Sequence, residues 1–163
     1  MGIAHKTEAG AVKLNLQSVD QVRAAAHEMS AIASGFLVEA MVAKPVVELI
    51  IGASRDPIAG LFLTIGAGGI FVELLEDSVI LILPATMDDI LAAISRLKVS
   101  KLLDGYRGGP KGDRNALALA VASAADYVVA TAAKLEELDI NPLMVLSDGN
   151  GAVAADALIR RRR

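Results

Sequence analysis

The chain has 163 residues, 54% of them hydrophobic but only 3% aromatic, so a domain-sized core of Ala, Val, Leu and Ile is expected. A formal charge of −3 and a pI near 5.4 argue against a nucleic-acid surface, which needs clustered Lys and Arg. The absence of cysteine excludes disulfides, thiolate metal sites and cysteine nucleophiles.

Mean hydropathy is +0.51, which raises the question of a membrane. Lys44–Pro45, Arg55–Pro57 and Glu73–Asp77 interrupt the apolar runs before any reaches the roughly 18–20 residues of a spanning helix. Met1–Lys6 contains no hydrophobic signal core, so a cytoplasmic protein without a membrane segment is expected. The basic run Arg160–Arg163 reads as a frayed, disordered tail on a single domain over residues 1–163.

In chain order, Val12–Leu16 alternates apolar and polar residues as a half-buried strand does. Ser18 with Gln21 three residues on predicts a capping box, and Val22, Ala25, Ala26, Met29, Ile32 and Ala33 give the helix its apolar face. Strands are predicted at Phe36–Val42, Val46–Ser54, Leu61–Ile65, Ile70–Leu74 and Ser78–Leu83. Thr86 opens a helix with Asp89 suited to its N-terminus. A loop spans Gly105–Pro110, and an Ala-rich helix runs from Asp113 to about Leu135. Leu138–Ile140, Leu143–Leu146 and Ala152–Ala155 read as short strands around a turn at Asp148–Gly151. Interleaved strands and helices give an α/β or α+β fold with a mixed sheet.

Three constellations could carry chemistry. His5–Lys6–Thr7–Glu8–Ala9–Gly10 puts a cation, a hydroxyl and glycine amides in one loop, which suits a phosphate, although the Walker A spacing is missing. Gly66–Ala67–Gly68–Gly69 lacks the G-x-G-x-x-G spacing and precedes a strand, so a dinucleotide fingerprint is discounted; at least one of these glycines serves a tight turn. Asp139 and Asn141 share one side of a strand by its period of two. Asp156 follows on a neighbouring strand, giving an oxygen-rich set of the kind Mg²⁺ favours; turn and capping roles are the alternative. Glu48 sits inside the apolar run Val46–Ile51. It is either a buried carboxylate that needs a partner or an outward residue on an edge strand.

These motifs, together with Arg55–Asp56–Pro57 and Leu103–Pro110, occur in an order and spacing that resemble the ATP-grasp domain of ADP-forming acetate/acyl-CoA synthetases, relatives of the succinyl-CoA synthetase β subunit. The resemblance covers nearly the whole chain. It implies an ATP-grasp-like sheet flanked by helices, and exchange of acyl-CoA, ADP and phosphate for acid, CoA and ATP through an acyl phosphate and a phosphohistidine. By the same resemblance, ATP/ADP and Mg²⁺ are the cofactors and Asp139, Asn141 and Asp156 the metal set. Lys6, Thr7 and Gly10 close over the phosphates, and His5 carries phosphate towards a CoA-binding partner domain or subunit. Glu48, Arg55 and Arg107 fall in motifs that line the nucleotide cleft. His5 speaks against a succinyl-CoA synthetase β subunit, which has no matching histidine.

Two features depart from the family pattern. Ala11 stands where a second glycine is usual, stiffening the loop. The family's domain also has an upstream strand and a nucleotide-contacting lysine, whereas only Met1–Ala4 precede His5 here. An N-terminally incomplete domain, inactive alone and prone to self-association through uncovered apolar surface, is therefore expected. The alternative is a non-catalytic ATP-grasp remnant that binds nucleotide or serves assembly.

Overall fold

A computed structural model describes residues 10–69 and 76–162. The chain divides into two compact units, Met1–Met41 and Val42–Arg163. Among the described residues, no helix is long and apolar enough to cross a membrane.

The first unit carries α1 (Val19–Met29), started by Ser18, whose hydroxyl accepts from the Gln21 backbone N–H. Gln21 Oε1 accepts from the Gln17 N–H at 2.6 Å, one residue earlier than a reciprocal capping box would have it. The strand expected at Val12–Leu16 is absent because Asn15 takes a left-handed φ of 59°, which breaks the extended alternation. Residues 36–42 likewise form no strand; an extended run becomes one only by pairing with a neighbour.

In the second unit the strands are β1 (Val47–Asp56), β2 (Gly60–Ala67), β3 (Ser78–Ile82), β4 (Leu135–Val145), β5 (Ala152–Ala154) and β6 (Ala157–Arg161). The helices are α2 (Met87–Arg96), the short α3 (Ser100–Leu103) and α4 (Arg114–Thr131), with a 3₁₀ turn at Tyr106–Gly108. The sheet order is β3-β2-β1-β4-β5, with β6 also on β4. The expected sheet flanked by helices is present. Every pairing among the described residues is antiparallel, so the strand directions are not mixed.

Alternation decides the faces. Val47, Leu49, Ile51 and Ala53 of β1 are buried, as are Leu63 and Ile65 of β2 and Leu143 and Val145 of β4. They form one core with Ile90 and Ile94 of α2 and Leu117, Val121 and Val128 of α4. On β4 the buried parity changes between Leu138 and Leu143, where the register against β1 slips between Leu49 and Ile51. Pro142 lies in that slip and has no N–H to give the ladder. The bulge therefore joins the two expected short strands into one.

Two buried aspartates tie the connections to this core. Asp113 caps α4 by accepting from Ala116 N–H at 2.9 Å and holds the Asp148–Gly151 turn by accepting from Gly151 N–H at 2.9 Å. These two bonds, that to Ala116 foremost, lower its carboxyl below the usual range. Asp77 accepts from the N–H groups of Lys98 and Val99 at 2.7 and 2.8 Å, which fixes the turn after α2 beneath the start of β3.

The run Arg160–Arg163 is not a free tail as far as it is described. Arg160 and Arg161 belong to β6, opposite Glu137 and Leu135. Arg160 pairs with Glu137 at 2.7 Å, and Arg161 donates to the Tyr127 hydroxyl at 3.1 Å. Acidic partners on β4, invisible to a composition argument, convert the basic run into an ordered edge.

Replacing Asp77 by Ala strands two backbone donors. It is expected to lower unfolding stability by about 2–4 kcal/mol in urea denaturation, with Asp77→Asn, which keeps one acceptor, losing less.

Candidate functional site

The face of the sheet opposite the core carries Glu48, Ile50 and Gly52 from β1, Thr64 and Gly66 from β2, and Glu137 and Asp139 from β4, all partly buried, with Asn141 exposed. Asp139 and Asn141 thus leave β4 away from the core, as their spacing predicts. The Asn141 N–H donates to the Asp156 carbonyl at 3.1 Å, which brings the residue just before β6 alongside them.

Electrostatics link the same groups. Burial, then the charges of Glu137 and Asp156, push the Asp139 carboxyl above its ordinary value. Like charges gathered on one face raise a carboxyl in this way, and a bound cation would relieve the repulsion. Among the described residues no three acidic or histidine side chains converge on a metal-sized site. Two carboxylates and one amide remain. That donor set fits Mg²⁺, which is held by one or two carboxylates and completes its shell with phosphates and water.

Glu48 is not on an edge strand, because β1 lies between β2 and β4. Its carbonyl accepts from Gly68 N–H at 2.7 Å. A Cβ at Gly68 would stand 2.9 Å from the Glu48 carbonyl carbon, and one at Gly69, where φ is +75°, would stand 3.2 Å from Glu48 Oε2. The glycines after β2 are thus required by the close crossing over Glu48 as well as by the turn.

Arg55 and Arg107 lie elsewhere in the second unit. Arg55 has the parity of the core face of β1, and its guanidinium donates to the Ala132 carbonyl at 2.9 Å. It therefore caps the C-terminus of α4, where a cation is favoured, and does not face the site with Glu48. Arg107 sits in the 3₁₀ turn with φ 52°, its guanidinium 5.3 Å from the Tyr106 ring centre. Gly10 belongs to the first unit and has φ +68°. His5, Lys6 and Thr7 lie outside the described residues. Sequence reasoning missed Glu137, although the same period of two that pairs Asp139 with Asn141 reaches back to it.

Comparison with known proteins gives a consistent result. The family model described as an ATP-grasp domain matches residues 1–160. An ADP-forming acetate–CoA ligase of Methanocaldococcus jannaschii is 35% identical over 178 residues, which cover 96% of this chain and 24% of that protein. The β subunit of ADP-forming acetate–CoA ligase II of Pyrococcus furiosus is 34% identical over 166 residues, covering 96% of this chain and 70% of the subunit. In three dimensions the chain is similar to the dinucleotide-forming acetyl-coenzyme A synthetase 1 of Ca. Korarchaeum cryptofilum in complex with coenzyme A and Mg-AMPPCP. The TM-score is 0.84 and the identity 33%, over 99% of this chain and 72% of that one. The chain thus spans about a quarter of the length of the Methanocaldococcus relative.

The raised Asp139 carboxyl has a readable consequence. Because the fold raises it, its contribution to stability is fully present below the unfolded carboxyl's midpoint and is lost as pH rises through the folded one. Side-chain carboxyl NMR is expected to show Asp139 titrating above an ordinary aspartate, and Glu137→Gln to bring that midpoint down. A midpoint that does not move in the variant would remove Glu137 from the site.

Proposed function

The chain belongs to the ATP-grasp family, among the ADP-forming acid–CoA ligases, and from that premise we propose that it is the nucleotide- and Mg²⁺-binding part of an ADP-forming acyl-CoA synthetase. The observation that supports this reading is that Asp139 and Asn141 share one side of β4, with Asp156 bonded through its backbone to Asn141 and close enough for its charge to raise the Asp139 carboxyl. In the proposed reaction acyl-CoA, ADP and phosphate give acid, CoA and ATP. Phosphate would displace CoA from the thioester to give an acyl phosphate and the free thiol, a histidine would take the phosphoryl group and release the acid, and ADP would take it from the phosphohistidine to give ATP.

Asp139, Asn141 and Asp156 would hold the ion. When bound, Mg²⁺ supplies charge neutralisation for the phosphates. The chain's own work is positioning and electrostatics. The bulge at Pro142 lets β4 present Asn141 next to Asp156, while the buried parity of β1 and β4 keeps the face rigid. Lys6, Thr7 and Gly10 are proposed to close over the phosphates, and His5 to pass phosphate to a CoA-binding domain or subunit. The Pyrococcus relative is itself named as a β subunit, which supports a partnered enzyme. Acid and CoA would then be bound largely by that partner. A non-catalytic nucleotide-binding module remains the competing reading, favoured by Ala11 in the proposed phosphate loop.

Calorimetric titration with Mg-ADP tests the proposal. Binding by the wild-type chain is expected, with Asp156→Ala weakening it by about 10–100-fold or more. Because metal and proton compete for Asp139, affinity is expected to fall as pH drops through that residue's raised midpoint. A folded wild-type chain that binds no Mg-ADP, or an Asp156→Ala variant that binds as well, would overturn the assignment.

A further inference from the structure

Gly52 lies in the interior of β1, a strand paired on both sides, where glycine weakens a sheet by its backbone freedom and its lack of a packing side chain. The local reasons for glycine found elsewhere in this sheet do not apply to it. Gly60 turns the β1–β2 hairpin with φ +82°, and a Cβ at Gly68 would collide with the Glu48 backbone. Gly52 has no left-handed φ, and a Cβ built on it meets nothing within 4 Å. The fold would accept a side chain here.

That space has specific neighbours. In the sheet register Gly52 stands directly opposite Thr64 on one side and Asp139 on the other. Side chains of directly opposed residues stand about 4.5–5.5 Å apart, so Gly52 opens a gap between a hydroxyl and a carboxylate. Ile50, Gly52, Thr64 and Gly66, with the acidic Glu76 and Asp77, are among the residues that line a concavity of about 260 Å³ on this face. A phosphate that shares a metal ion with Asp139 must come within a few ångströms of that carboxylate, since Mg–O bonds are about 2.0–2.1 Å. The gap over Gly52 adjoins that position, and the Thr64 hydroxyl on its far side is a donor suited to a phosphate oxygen.

We propose that Gly52 and Thr64 form the phosphate seat of the nucleotide site. The bare backbone of Gly52 admits the phosphate chain beside Asp139, and Thr64 donates to it from the β2 side. The proposal rests on the nucleotide reading above and assigns these two residues as specificity-determining contacts of that site.

Three variants and two ligands test it. Mg-ADP binding is measured by calorimetry, Mn²⁺ alone by electron paramagnetic resonance, and folding by thermal melting, in the wild-type chain and in Gly52→Ala, Gly52→Val and Thr64→Val. Gly52→Val is expected to weaken Mg-ADP binding by about tenfold or more, with Gly52→Ala intermediate, while Mn²⁺ binding and the melting midpoint are not reduced. Thr64→Val, which removes only the hydroxyl, should weaken Mg-ADP and leave Mn²⁺ unchanged. Undiminished Mg-ADP binding in Gly52→Val overturns the seat while leaving the nucleotide reading intact. Equal loss of Mn²⁺ and Mg-ADP also overturns it, because the added side chain would then be disturbing Asp139 itself. A wild-type chain that takes Mn²⁺ but no Mg-ADP overturns the nucleotide reading and the seat together.

Discussion

β1 and β4 run side by side through the middle of the sheet, and the period-two alternation of their side chains sorts everything else in the second unit. Leu49, Ile51, Leu143 and Val145 point one way and are nearly or fully inaccessible. They hold α2 and α4 against the sheet through burial of apolar surface. Because that face is committed, a slip of one residue would turn the whole hydrophobic set outward. The same commitment determines which residues reach the other face, and so the chemistry of Glu48, Gly52, Asp139 and Asn141 is a by-product of how the core packs.

The bulge at Asn141–Pro142 relaxes this rule. A proline cannot serve a central ladder, and the strand absorbs it by changing its buried parity between Leu138 and Leu143. β4 consequently turns to pair with β6 along its first half and β5 along its last residues. The passage from β5 to β6 is where Asp156 sits, bonded through its carbonyl to Asn141. Bulges recur where a sheet must re-aim a side chain, and here the re-aiming gathers the acidic groups that raise the Asp139 carboxyl.

Charges at the periphery are arranged with a different logic. Asp77 and Asp113 are buried and fully engaged by backbone N–H groups, so they act as fasteners. Arg55 and Arg160 hold a helix end and a strand edge through the Ala132 carbonyl and Glu137. Asp139 differs from the fasteners: burial first, and then the like charges of Glu137 and Asp156, raise its carboxyl, an arrangement that costs stability and is consistent with a cation-binding role.

Local patterns in the sequence were sufficient for the α/β class, for α1 with its Ser18 cap and α2 with its start at Thr86, for the strands at β1, β2 and β3, and for the shared side of Asp139 and Asn141. These depend on neighbours within a few residues, where spacing alone sets geometry. The family resemblance, carried by motif order, is what suggested the proposed metal set and nucleotide. Tertiary structure alone decided the rest. Whether Glu48 lies on an edge strand, whether Arg55 faces the site or a helix end, and whether Arg160 frays or pairs all depend on partners tens of residues away in the chain. Pairing between distant strands is set by packing of the whole sheet, and no local window contains it.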